Sequence, residues 1–216
     1  KNDGVSLILA TGGSSMVKAA YSAGKPALGV GPGNVPCYIE KTADIKRAVT
    51  DLILSKTFDN GMICASEQAV IIDKDIYEPV TEYMKKLGCY FVNEEEKSKL
   101  EKLVIDEKKS AVNPKIVGQA ARTIAQMAEI NAPEDTKILV AEIEGVGPEY
   151  PLSREKLCPV LACFKVNDTS EGIQRAVEMV NFGGSGHSAV IHSNDERVIN
   201  EFAEKVNTGR IIVNQP

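Results

Sequence analysis

The stretch Val5-Ser6-Leu7-Ile8-Leu9-Ala10-Thr11-Gly12-Gly13-Ser14, followed by a helical segment to Gly24 and the run Ala27-Leu28-Gly29-Val30, decides the fold class. Val5 to Ala10 has the apolar density of a strand covered on both faces. The small-residue turn from Thr11 to Ser14 passes into a helix, and a new strand from Ala27 to Val30 starts at once. Strand, helix and strand in such a short span predict a parallel pair, and therefore an α/β protein. Because the pair lacks preceding strands, residues 1–36 are expected to be the tail of a larger sheet, and the chain a fragment.

Working outward, helices and strands continue to alternate. Thr42 is expected to cap a helix whose Ile45, Ala48, Val49, Leu52 and Ile53 share one face. Ala69 to Asp73 reads as a strand. Ile76, Val80, Tyr83, Met84 and Leu87 form a helical stripe that Gly88 would end. Asn113-Pro114 predicts a helix start, with Ile116, Ala120, Ile124 and Ala128 inward. Ser193 with Glu196 predicts a capping box for a helix closed by Gly209. Strands are expected at Ile138 to Ala141, Val160 to Val166, Ala189 to His192 and Ile211 to Val213, and a polar surface excursion from Val104 to Ala111.

Composition narrows the function. With 43% hydrophobic residues in a chain of 216, there is material for one large core or two small ones. The net charge is -5, and Lys and Arg alternate with Asp and Glu along the helices, so nucleic acid and anionic membranes are poor partners. No apolar run approaches the roughly 20 residues of a membrane span, and no signal segment opens the chain, which suggests a cytoplasmic protein. The five cysteines have neither disulfide nor metal-ligand spacing and are read as reduced thiols. With only His187 and His192 present, no metal is expected on a cluster of histidines.

Cys64 stands in Asn60-Gly61-Met62-Ile63-Cys64-Ala65-Ser66, a loop between a helix and a strand, where free amides can face an anion and a thiolate can attack a carbonyl. Taken alone, it could equally be a small buried hydrophobe.

Five stretches lend that cysteine more weight. Thr57 to Gln68 resembles the nucleophile loop of the aldehyde dehydrogenase superfamily. Ala10-Thr11-Gly12-Gly13 resembles the superfamily's Phe-Thr-Gly-Ser turn, and Gly29-Val30-Gly31-Pro32-Gly33-Asn34 its Glu-Leu-Gly-Gly-Lys. Glu155-Lys156-Leu157-Cys158-Pro159-Val160 stands where the family has Glu-x-Phe-Gly-Pro-Val. Gly184-Ser185-Gly186-His187-Ser188-Ala189 and the end from Thr208 to Pro216 are similar to bacterial bifunctional aldehyde-alcohol dehydrogenases. The resemblance covers nearly all of the chain. It implies an aldehyde dehydrogenase-like catalytic domain over residues 37–216, preceded by the last βαβ part of a Rossmann-type cofactor domain over residues 1–36.

It also implies roles. Cys64 would be the nucleophile, its amide part of an oxyanion hole. Thr11, Gly12, Gly13 and Ser14 would face the cofactor pyrophosphate, and Glu155 would accept hydrogen bonds from the nicotinamide ribose. Glu155 could instead be a solvated charge between Arg154 and Lys156. His187, on a flexible glycine-rich turn, could favour a thiolate at Cys64 or at an incoming thiol, or could simply be hydrogen-bonded within the turn. His192 is read as structural. The informative departure is Gly29, where hydrolytic relatives carry the glutamate that activates water. Without that base, a thiol with its lower pKa is the better acceptor. The resemblance thus implies a CoA-acylating aldehyde dehydrogenase using NAD, with CoA as cosubstrate, an aldehyde and acyl-CoA as small-molecule partners, and a homo-oligomer as the full-length form. The alternatives are a hydrolytic or acyl-phosphate-using relative, and a non-catalytic piece of the fold. The fragment by itself is expected not to turn over.

Overall fold

The computed structural model describes residues 2–106 and 111–216. The chain opens with β1 (Ile8–Thr11), α1 (Ser14–Tyr21) and β2 (Ala27–Val30), and β1 and β2 pair in parallel as a separate two-stranded sheet. There follow β3 (Pro36–Ile39), α2 (Ile45–Thr57), β4 (Ala69–Asp73), α3 (Tyr77–Lys86), β5 (Cys89–Phe91) and α4 (Glu94–Val104). A short antiparallel pair, β6 (Ile105–Asp106) and β7 (Ala111–Val112), leads to α5 (Ala121–Met127) and β8 (Ile138–Glu142). The chain closes with β9 (Val160–Val166), α6 (Thr169–Gly183), β10 (Ser188–His192), α7 (Glu196–Lys205) and β11 (Arg210–Val213).

Seven of these strands form one all-parallel sheet in the order β11-β10-β3-β4-β9-β8-β5. Its two faces carry separate apolar layers. α2 and α3 cover one through Val49, Leu52, Val80 and Met84, and α4 to α7 cover the other through Leu100, Ile124, Ile173 and Phe202. β4 is buried at every position, which is why it reads as a continuous apolar run. The α/β class is as expected. Pro36 already belongs to the large sheet, one residue before the expected boundary.

Parallel strands place all their amino ends on one edge, and the motifs gather there. The loops carrying Asn34, Cys64, Lys156 and His187 run into β3, β4, β9 and β10, and Gly209 runs into β11. In the small sheet the order is reversed, and the Thr11 to Ser14 turn follows the carboxyl end of β1. A cleft of about 540 Å³, lined by Glu142, Phe164 and Lys165 among others, opens on the opposite, carboxyl edge and has no part in the site.

Several local expectations are corrected. β1 begins at Ile8, three residues later than Val5. Asp44, not Thr42, caps α2 by accepting from the Arg47 amide at 3.1 Å. The Thr42 hydroxyl is drawn away by Glu40 at 2.5 Å. Likewise Asp195 caps α7, while the Ser193 hydroxyl donates to Glu40 at 2.8 Å, so there is no Ser193/Glu196 box. α7 ends at Lys205, short of Gly209. Asn113 forms a tight turn, its side chain accepting from the Lys115 amide. Gly118 with φ of +69° delays the helix to Ala121 and leaves Ala120 exposed. The expected excursion from Val104 to Ala111 falls partly on residues 107–110, outside the described residues. β3, β5, α4 and α6 are additions to the expected elements.

Candidate active site

Cys64 is exposed, whereas Cys37, Cys89, Cys158 and Cys163 are buried. The loop that presents it is made by a rare backbone run. Asp59, Asn60 and Gly61 all adopt left-handed conformations, with φ of 48°, 51° and 66°. Asp, Asn and Gly are the residues that tolerate this region best. Gly61 is also sterically required, because a Cβ there would lie 3.0 Å from the carbonyl of Cys158 and from that of Lys56. Past this turn, the Ser66 amide closes back on Ile63 O at 2.9 Å. Among the described residues, the amides of Ile63, Cys64 and Ala65 have no acceptor in the chain. Exposed thiol and free amides together suit attack on a carbonyl whose oxygen becomes anionic.

The loop is pinned to the segment carrying Glu155. Gln68 Oε1 accepts from the Lys156 amide at 2.9 Å, and Lys156 Nζ donates to the carbonyls of Gln68, Leu152 and Arg154 at 3.0, 2.7 and 2.7 Å. Lys156 is therefore a buried strut and not a solvated neighbour of Glu155. Glu155 itself is half-buried, and desolvation raises its carboxyl pKa, opposed by the charges of Lys156 and then Lys56. Lys56 lies fully buried at the end of α2, with its pKa lowered to about 8 by burial. Arg154 stacks 5.1 Å over the Phe182 ring and so ties this segment to the end of α6.

His187 sits where two loops interlock. A Cβ at Gly33 would be 2.5 Å from His187 Cβ, and one at Gly184 would be 2.2 Å from the carbonyl oxygen of Pro32. The glycines before His187 thus serve close backbone approach, not the flexibility expected of them. The buried Asn34 side chain fastens the partner loop by donating to Ser153 O at 2.8 Å and Met179 O at 3.0 Å. The imidazole has no hydrogen bond to the protein among the described residues, and burial followed by the charge of Arg210 lowers its pKa. Cys64 and His187 are not bonded to each other. Arg210 borders the surroundings of both: its Nε donates to Ser188 Oγ, next to His187, at 3.1 Å, and it lines a mostly apolar groove of about 240 Å³ with Glu67 and with Ile63 and Ala65, the chain neighbours of Cys64.

A wider cleft of about 600 Å³ runs between the two sheets, bounded by Ser14, Gly29, Pro32, Phe182 and Gly184. Gly13 precedes α1 without a side-chain cap and has open space above its Cα, so the first amides of the helix face outward. That geometry, with the nearby Glu155 segment, fits a dinucleotide lying across the cleft. At Gly29 a side chain would run into Val17 Cγ1 at 2.5 Å and Tyr21 Cε2 at 2.9 Å, and the Gly29 amide donates to Tyr21 Oη. Its position is filled by α1, and no carboxylate is among the three nearest atoms.

The aldehyde dehydrogenase family model matches residues 1–216. The chain belongs to the aldehyde dehydrogenase family. Aldehyde-alcohol dehydrogenase 2 of Entamoeba histolytica is 56% identical over 220 residues, covering 99% of this chain and 25% of that protein. An acetylating aldehyde dehydrogenase from Geobacillus thermoglucosidasius superposes with a TM-score of 0.96 at 50% identity, covering all of this chain and 47% of the other. A propionaldehyde dehydrogenase from Rhodopseudomonas palustris, solved with bound CoA and an acylated cysteine, superposes with a TM-score of 0.90 at 29% identity over 48% of its length. The chain thus spans about a quarter of the curated relative and about half of each solved one. Within this aldehyde dehydrogenase fold, Gln68, Lys156 and Arg210 are the site residues that sequence reasoning missed. All three lie inside stretches that carry the resemblance, where sequence reasoning gave them no role of their own.

Proposed function

We propose that the chain supplies the nucleophile-bearing part of a CoA-acylating aldehyde dehydrogenase, with Cys64 carrying the acyl group as a thioester. The observation that carries this reading is the pairing of an exposed Cys64, on a loop with free amides, with a Gly29 whose side-chain direction is closed by Val17 and Tyr21. A thioester formed at Cys64 lacks a carboxylate at that position to activate water. The bound CoA and acylated cysteine of the Rhodopseudomonas palustris relative support the same step.

The Cys64 thiolate adds to the aldehyde carbon, and the amide of Cys64 meets the oxygen as it becomes negative. A bound nicotinamide supplies the acceptor for the hydride leaving that carbon, here assigned as NAD. Glu155 would hold its ribose by accepting hydrogen bonds, and Thr11, Gly12, Gly13 and Ser14 would hold its pyrophosphate. The CoA sulfur then attacks the thioester and releases Cys64 as a thiolate, while His187 takes the thiol proton. The balance is aldehyde, CoA and NAD to acyl-CoA, NADH and a proton, with acetaldehyde and acetyl-CoA as the assigned pair. Residues 1–36 are assigned to the cofactor domain and 37–216 to the catalytic domain, in a cytoplasmic homo-oligomer.

The test uses the full-length protein with acetaldehyde and NAD or NADP, with and without CoA. Acetyl-CoA formed in step with NADH is the expected result. Acetate formed at equal rates with and without CoA would overturn it.

A further inference from the structure

Three segments pack around His187: the loop from Gly29 to Pro36, the turn from Asn181 to Ser188, and the entry to β11 from Asn207 to Ile212. Gly33 abuts its Cβ, and a Cβ at Gly209 would lie 3.0 Å from its carbonyl oxygen. Arg210 is the sole charged side chain in all three. Among the described residues it has no carboxylate within ion-pairing distance. Its position is fixed by the 3.1 Å bond from Nε to Ser188 Oγ, the residue next to His187. It also reaches the groove beside Cys64.

We propose that Arg210 is a positioning residue that acts through His187: its tethered cation opposes a second positive charge on the imidazole, so that His187 meets the incoming thiol as a proton acceptor. A guanidinium stays charged throughout the working pH range, so the opposition is permanent. Partial burial of the ring acts in the same direction. Glu67 lines the same groove, but its carboxylate accepts from Ser55 Oγ at 2.7 Å and makes no ion pair with Arg210 among the described residues, so the field of the guanidinium is not cancelled by a bonded partner. This inference rests on the role given to His187 above.

The experiment uses the full-length protein, wild type, Arg210→Met and Arg210→Lys. Carbethoxylation of His187 by diethyl pyrocarbonate, followed by peptide mapping across pH and normalised to a free imidazole compound labelled in parallel, reads the neutral fraction of the ring directly. In parallel, the rate of CoA attack on enzyme already acylated at Cys64 is measured across the same range. The expected result is an upward move of the carbethoxylation midpoint in Arg210→Met. It should come with a loss of acyl transfer of about twofold or more near pH 6 that disappears near pH 8, both reversed in Arg210→Lys. An unmoved midpoint in Arg210→Met, or a loss of transfer equal at every pH, would overturn the proposal. If the wild type makes no acyl-CoA, the enzymatic reading fails instead, and the midpoint still reports on Arg210.

Discussion

Lys156 Nζ lies 3.0 Å from the main-chain oxygen of Gln68, so a lysine from one motif is bolted to the loop of another. The same Nζ also donates to Leu152 O and Arg154 O at 2.7 Å each, so three carbonyls converge on one buried donor. Lys156→Met should therefore destabilise the protein by about 3 kcal/mol, because buried acceptors lose their donor. Urea denaturation measures the loss. An effect near zero would mean that the strut is replaceable.

Gly61→Ala combines a left-handed φ with contact against two carbonyls at 3.0 Å. A destabilisation of about 2 kcal/mol is expected, together with slower acylation at Cys64 as the loop shifts. Denaturation and the rate constant of the NADH burst read the two effects separately.

At Gly33, an added methyl would collide with His187 Cβ. Gly33→Ala should slow CoA attack on the acyl-enzyme by about tenfold, and by more than it slows thioester formation, since the imidazole moves and the Cys64 loop does not. Single-turnover kinetics of the two half-reactions would separate these outcomes.

A brief iodoacetamide pulse should label Cys64 ahead of the other four cysteines. Burial pushes the thiols of Cys89 and Cys163 up to about 12, and raises those of Cys37 and Cys158 as well. Uniform labelling in peptide maps would contradict the exposure difference.

His192 offers a pH test of stability. Burial, then the charge of Arg47, lowers its pKa from 6.5 to about 4, and its Nε2 has no partner. A folded-state pKa below the unfolded one means that the unfolded chain binds the extra proton first. Stability is thus fully present above pH 6.5 and lost as pH falls toward 4. His192→Gln should flatten that slope in denaturation curves taken across the window.

The strands most legible in the sequence were those buried on both faces. Ala69–Asp73 and Val160–Val166 open with four and five consecutive apolar residues, and their observed limits coincide with the expected ones. Caps were less legible, because Glu40 claims the hydroxyls of Thr42, two residues along the chain, and of Ser193, at the end of the neighbouring strand. No local pattern announces such a competitor. The same holds in the site. Cys64 could be singled out by its motif, but Lys156 reads as one more charge, and its burial depends on the carbonyls of Leu152 and Arg154 together with that of Gln68, 88 residues away. Arg210 is an ordinary strand residue until Ser188 and His187 are placed beside it.

The order of strands separates the two halves of the site mechanically. Among the described residues, Cys64 and Lys156 feed β4 and β9, each flanked on both sides, whereas Arg210 begins β11, one of the two edge strands, and His187 precedes the adjoining β10. Rim strands open at lower free energy than inner ones. On the roles proposed for His187 and Cys64, loosening of the rim would stall thiol delivery while the nucleophile stays in register, and amide exchange in β11 faster than in β4 would be the physical trace of that division.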